Sequence, residues 1–396
     1  MQVMVFLNTL NNWFKYIKLK GGVFKRCFKT TLLPLLKLVH SPKNSLKAAF
    51  TNKFLIGTMA DEATLDGKKV RANLLLNKHF NSVTINSLLP LVSISEAGVF
   101  NFAAADRQIE LALKNKFHIV GHFLICSIFF PQFFFLDDNG DDISREELIA
   151  RMEHYITTVM QRYKGKINVW EVVHEAFDND GNYVNCKFLK ILGKEYIKIA
   201  FDIARHADPG CELCYSDFAL SMPAKRNAVV QMIADLKQRG TKIDTIGIQG
   251  HCHLNFPVAE EFEKSIIAFA EAGCQVSITE ADMSVLPVFN PRTAVSEVLN
   301  PDYWQTLNPY PNGLPDKIAE IQRKHSLELF DVILHHADKI NRVTIWGISD
   351  RDSFKNIFPV IGRTDYPLLF DRKYQAKQIV TDLIKMGTNY RYDREN

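Results

Sequence analysis

From about residue 46 onward, short apolar runs rich in β-branched residues alternate with longer stretches whose apolar positions recur at helical spacing. The short runs predict strands at Phe54–Thr58, Ser82–Ile85, His118–Leu124, Ile167–Val173, Glu212–Phe218, Thr245–Gln249, Gln275–Thr279 and Val343–Ile348. The longer stretches predict helices at Arg107–Asn115, Arg145–Arg162, Phe188–His206, Ala224–Arg239, Ala259–Ala272 and Lys317–His336. Strands alternating with helices of this length require right-handed crossovers, hence a parallel sheet covered by helices. Eight strand segments fit a closed α/β barrel, (β/α)8 or TIM type, better than an open doubly wound sheet. No Gly-x-Gly-x-x-Gly follows the first strand, which weighs against dinucleotide binding.

Local signals punctuate this pattern. Ser144, with Glu147 three residues on, predicts a capping box at the start of the helix from Arg145. Gly165 predicts its end, just before the strand that leads to Glu175. The stretch Ala281–Pro315 carries six prolines and no helical period, so it reads as a long loop on the cleft side of the barrel. No short-period repeat or low-complexity tract interrupts the chain.

Charge divides the chain in two. Residues 1–44 contain eight Lys/Arg and no Asp or Glu, while the whole chain has 48 Lys/Arg against 44 Asp/Glu, so the remainder is net acidic. We therefore separate a basic N-terminal extension, residues 1–45, from a barrel domain, residues 46–390. The apolar run Thr30–Val39 is broken by Pro34 and Lys37 and is too short to span a membrane, so no integral membrane span is expected. A secretion signal, a membrane-surface helix and a misplaced start each fit the extension; the reading preferred is export, to a secreted or cell-envelope location. A net charge of +4 gives little reason to expect a nucleic-acid partner. Twenty-eight Phe residues supply a large core without staples, and seven cysteines at irregular spacing argue against a disulfide framework. Cys211-x-x-Cys214 lies in a strand-like run with no second pair to complete a metal site, so both read as small buried residues.

The candidate chemistry sits where strands end. Glu175 closes Val169-Trp170-Glu171-Val172-Val173-His174-Glu175, and Glu280 closes Val276-Ser277-Ile278-Thr279-Glu280. In a parallel barrel the carboxyl ends of strands line the active-site face. Two carboxyls brought there from distant strands are the minimum set for cleaving a glycosidic bond, although either alone reads equally well as a capping or surface-paired residue.

Trp170–Ala176 resembles the acid/base segment of the family 10 glycoside hydrolases, the xylanases, and Ile278-Thr279-Glu280-Ala281-Asp282 resembles their nucleophile segment. Phe54–Thr58, His79–Thr84, Phe102–Asp106, Gly121-His122, Gly247–His251, Trp346–Asp350 and Gly362–Asp371 are similar to further segments of that family, so the likeness runs from residue 46 to about 386. The resemblance implies a retaining endo-β-1,4-glycanase acting on xylan, a plant-type β-glycan, or xylo-oligosaccharides. Glu280 would be the nucleophile and Glu175 the acid/base, with no metal or organic cofactor. Burial or the partner's charge is expected to raise the pKa of Glu175 so that it holds a proton. By the same resemblance Asn86, His122, His174, Gln249, His251, Trp346 and Phe354 would line the sugar-binding cleft.

The chain departs from the family pattern in sugar recognition. Ser87 and Leu89 stand where the family has Glu and Lys, Cys126 and Ser127 where it has Trp and His, His174 where it has Asn, and Phe354 where it has a second Trp. Losing a group built to bond a hydroxyl costs about 1–3 kcal/mol. A retaining enzyme for another β-glycan, or a barrel that binds polysaccharide without cutting it, are therefore the alternatives. The aromatic run Phe129–Phe135 reads as packing beneath a loop, with replacement stacking for the sugar as the second option.

Overall fold

The computed structural model describes residues 44–95, 99–126, 129–288 and 301–390. Eight strands form the barrel: β1 Leu55–Met59, β2 Ser82–Ile85, β3 His118–Gly121, β4 Val169–His174, β5 Glu212–Asp217, β6 Thr245–Ile248, β7 Gln275–Ser284 and β8 Ile340–Ile345. Each pairs in parallel with the next, β8 returns to β1 (Leu55 opposite Arg342), and β7 pairs β8 (Val276 opposite Ile340), so the sheet closes on itself. All eight predicted strands are present within a few residues of their predicted ends. Their continuous apolar runs arise because each strand is covered on both faces.

The main crossover helices are α1 Val70–His79, α2 Ala103–Lys114, α3 Arg145–Arg162, α4 Glu195–Ala207, α5 Pro223–Gln238, α6 Ala259–Glu271, α7 Asp316–His335 and α8 Gln378–Asn389. Each docks through one apolar stripe. In α3 that stripe is Leu148, Met152, Tyr155, Ile156, Val159 and Met160, and in α4 it is Tyr196, Ile197, Ala200, Phe201, Ala204 and Ala207. Burying each large member contributes about 1.5–3 kcal/mol.

Several expectations need correction. The helix predicted over Phe188–His206 is two, Lys187–Leu192 and α4, because Gly193 (φ +65°) ends the first. The helix expected from Arg107 starts at Ala103. Helices α1 and α8 were not predicted. The capping box is half formed: Ser144 Oγ accepts from Glu147 N (3.1 Å), but the Glu147 carboxylate turns to Arg151 Nε (2.9 Å). Ala281–Pro315 is not wholly loop. Strand β7 runs on to Ser284 because its end pairs with a short strand, His251–His253, and Pro301 opens a helix to Leu307. Residues 1–43, which hold almost all of the basic extension and Cys27, lie outside the described residues. Cys211 and Cys214 are buried small residues whose thiols face backbone carbonyls.

Candidate active site

Strand β4 ends at His174, and Glu175 leaves it with φ +57°, a left-handed conformation that costs a non-glycine residue about 1–2 kcal/mol. The next turn is pinned from β5. Glu175 N donates to Ser216 O (3.0 Å), Ala176 N to Tyr215 Oη (3.3 Å) and Phe177 N to Asp217 Oδ2 (3.3 Å). Tyr215 in turn donates to the same Asp217 oxygen (2.5 Å), and Lys225 Nζ meets Asp217 Oδ1 at 2.7 Å with both side chains at 0% exposure.

Glu280 rises from β7, its amide donating to Gln249 O (2.7 Å). Gly250 makes this approach possible: it has φ +77°, and a Cβ there would lie 2.8 Å from Ile278 Cγ2. Glu280 Oε2 lies 3.1 Å from His251 Nε2, and His251 Nδ1 lies 2.8 Å from Asp282 Oδ2. Lys355 stands 3.8 Å from the other Asp282 oxygen. Burial pushes the His251 ring down, but the charge of Asp282 outweighs it and raises the ring to about 9. Burial likewise pushes Asp282 up, and the His251 and Lys355 charges hold it below the ordinary carboxylate range.

His174 joins the two halves. Its Nε2 lies 3.3 Å from Glu175 Oε1 and 3.7 Å from Glu280 Oε1, and its Nδ1 lies 3.7 Å from Glu171 Oε2. The ring stacks on Phe123 (centroids 4.6 Å) and meets His122 edge-on (4.9 Å). His122 Nδ1 is 2.6 Å from Glu171 Oε2, and Trp346 packs edge-on against the His122 ring at 5.1 Å. Gln249 Nε2 donates to Glu175 Oε1 (2.9 Å) and lies 3.1 Å from His174 Nε2. That second contact is a hydrogen bond only when Nε2 carries no proton; beside a charged ring the amide keeps its bond to Glu175 alone.

Three carboxylates around one imidazole set its charge. Burial lowers the pKa of His174, yet the hydrogen bond and charge of Glu175, then Glu280 and Glu171, raise it to about 9. The effect on Glu175 reverses the expectation from sequence. Burial does push that carboxyl up, but the hydrogen bond and charge of His174, with the Gln249 amide, bring it down to about 2. Both directions favour an ion pair between His174 and Glu175.

Of the predicted residues, Glu175, Glu280, His122, His174, Gln249, His251 and Trp346 are brought together in this cluster. Phe354 lies at its rim, its ring 5.3 Å from His251. Asn86 is half-buried past the end of β2, and no hydrogen bond ties it to the cluster. Ser87 turns away, donating to Gln108 Oε1 (2.6 Å). Phe134 and Phe135 are buried, and Phe130 packs among Phe134, Tyr155 and Phe188, so the aromatic run is mainly packing; Phe129 is 43% exposed. Glu171, Asp282 and Lys355 were not singled out from sequence. A lone charge inside the apolar strand β4 marks Glu171, and Asp282 shares a face with Glu280 two residues earlier. Lys355 carries no such signal. His122, Glu171, His174 and Glu280 also gather donor atoms within 4.8 Å of one another, a set able to hold a cation.

A closed (β/α)8 barrel carrying two glutamates across one imidazole at the carboxyl ends of β4 and β7 has the build of a glycoside hydrolase. Comparison with known proteins gives the family: the model of glycosyl hydrolase family 10 matches residues 45–386. Endo-1,4-beta-xylanase A of Xylanibacter ruminicola is 38% identical over 366 residues, covering 91% of this chain and 98% of that protein. Endo-1,4-beta-xylanase A of Caldicellulosiruptor saccharolyticus is 35% identical over 345 residues, 86% and 95% of the two chains. The structure of a GH10 endoxylanase from a sugarcane soil metagenome superposes with a TM-score of 0.79 at 35% identity, covering 87% of this chain and 99% of that one. The chain belongs to glycosyl hydrolase family 10. It is a glycoside hydrolase of xylanase type, and the family's reaction retains anomeric configuration.

Proposed function

We propose that the protein cleaves the β-1,4-linked backbone of xylan and xylo-oligosaccharides by double displacement. Glu280 attacks the anomeric carbon, and Glu175 delivers a proton to the departing oxygen, then removes one from the incoming water. One observation supports the assignment: His174 Nε2 stands 3.3 Å from one carboxylate oxygen and 3.7 Å from the other, so the two carboxylates meet at a single site. His251, backed by Asp282, supports the charge of Glu280. The proton on His174 lies within one short transfer of Glu175 Oε1, which takes it up as the sugar displaces water. His122, Trp346 and Gln249 would form the walls of the sugar site, with Asn86 and Phe354 farther out. A polymer of this kind is met outside the cell, so export by way of residues 1–45 goes with this substrate. Among the described residues no helix is long and apolar enough to cross a membrane.

Azide rescue tests the two roles. Glu280→Ala with azide should yield an α-xylosyl azide, and Glu175→Ala a β-xylosyl azide from an activated aryl xyloside; unchanged hydrolysis in either variant overturns the assignment. A panel of β-glycans tests the substrate, and cleavage of glucan or mannan with xylan untouched overturns that part alone.

A further inference from the structure

We propose that the floor of the cleft is a zinc site: His122, Glu171, His174 and Glu280 take up one Zn2+, and occupation shuts the enzyme off.

The donor set comes first. Two imidazoles and two carboxylates on three different strand ends place one ligand atom each within 4.8 Å of all the others, and all four residues are buried. Tetrahedral zinc holds nitrogen and oxygen ligands at about 2.0–2.2 Å, which sets neighbouring donors about 3.3 Å apart. Two separations along the His174 Nδ1 side bracket that figure, 2.6 Å from His122 Nδ1 to Glu171 Oε2 and 3.7 Å from Glu171 Oε2 to His174 Nδ1, and Glu280 completes the set within 4.8 Å. Small rotations of the side chains close the set around a metal.

A second observation is independent of the clustering. His174 Nδ1 and Glu280 Oε1 are buried polar atoms with no hydrogen-bond partner, and each belongs to a residue only 4% exposed. An unmade bond at a buried polar atom is destabilising, so both are poised to accept a ligand. A borderline cation that prefers mixed nitrogen and oxygen donors satisfies both at once; Mg2+ and Ca2+, which favour oxygen alone, do not. His174 is the residue that makes the set, since the family pattern has asparagine at this position. Binding requires the imidazole in its neutral form. It also removes Glu280 from use, a consequence that rests on the proposed nucleophile role, whereas the binding itself does not.

The test uses the full chain freed of metal by a chelator. Zn2+ is titrated by calorimetry, and Co2+ serves as a spectroscopic probe of four-coordinate geometry. One equivalent should bind, giving intense visible cobalt bands, and the affinity should fall by about tenfold or more in His174→Asn and in Glu280→Gln. The second variant is nearly isosteric and decides the matter if the first fails to fold. Zinc should inhibit aryl-xyloside hydrolysis competitively, with recovery on adding EDTA. Absence of a stoichiometric equivalent, or wild-type affinity in Glu280→Gln, overturns the proposal. A protein that binds zinc in this way but cleaves no xylan overturns the substrate assignment only; one that cleaves xylan and binds no zinc overturns only this inference.

Discussion

Replacing Lys225 by methionine tests how the Glu175 turn is held. Lys225 and Asp217 are both 0% exposed, 2.7 Å apart, and the ammonium also lies 3.3 Å above the Phe218 ring. Burial pushes the carboxyl of Asp217 up and the amine of Lys225 down, and each keeps its charge through the other. Methionine fills most of the volume but leaves Asp217 charged in a dry site with Tyr215 and two backbone amides as its remaining partners. Breaking a buried pair in this way costs about 3–5 kcal/mol. Loss of the ring contact adds up to about 2 kcal/mol. For a domain of this size that lowers Tm by about 1–2 °C per kcal/mol, readable by calorimetry. Because Ala176 and Phe177 are tied to this network, kcat should fall with little change in KM. The double variant Asp217→Asn with Lys225→Met removes both charges and should recover most of the stability. A loss below about 1 kcal/mol in the single variant, or a double variant no better than the single, refutes the reasoning.

Other outcomes follow from packing and protonation. Gly121→Ala would put a Cβ 2.5 Å from Trp170 Cζ3 in a filled interior, costing about 1–3 kcal/mol; an unchanged urea midpoint counts against it. His79 is 3% exposed, and burial, with the charges of Lys78 and Lys47, lowers it to about 3. Between pH 6.5 and about 3 the unfolded chain thus binds the extra proton, so stability should rise with pH in that window, by about 1.4 kcal/mol per unit. His79→Gln should flatten that slope, and an equal slope in both proteins removes His79 as its source.

Much of the barrel was legible because a strand covered on both faces leaves an unbroken apolar run, and such runs ended at Glu175 and Glu280. Helix α1 was missed because its stretch Val70–His79 mixes Arg71, Asn73, Asn77 and Lys78 among the leucines. The break at Gly193 was missed because the apolar period continues past it. The charge of Glu175 was illegible for a different reason. It depends on His174, whose own charge depends on Glu171 of the same strand and on Glu280, and only closure of the barrel brings Glu280 within 4 Å of that ring. Sequence identified the departure from asparagine at 174; folding sets the carboxylates that raise the newcomer's pKa.

The backbone at position 175 has an evolutionary consequence. A residue without a β-carbon would sit there comfortably, so selection for heat tolerance alone would favour glycine at the very spot that carries the proposed acid/base carboxyl. Durability and turnover therefore pull that codon in opposite directions, and directed-evolution libraries screened only for survival after heating should be checked there first.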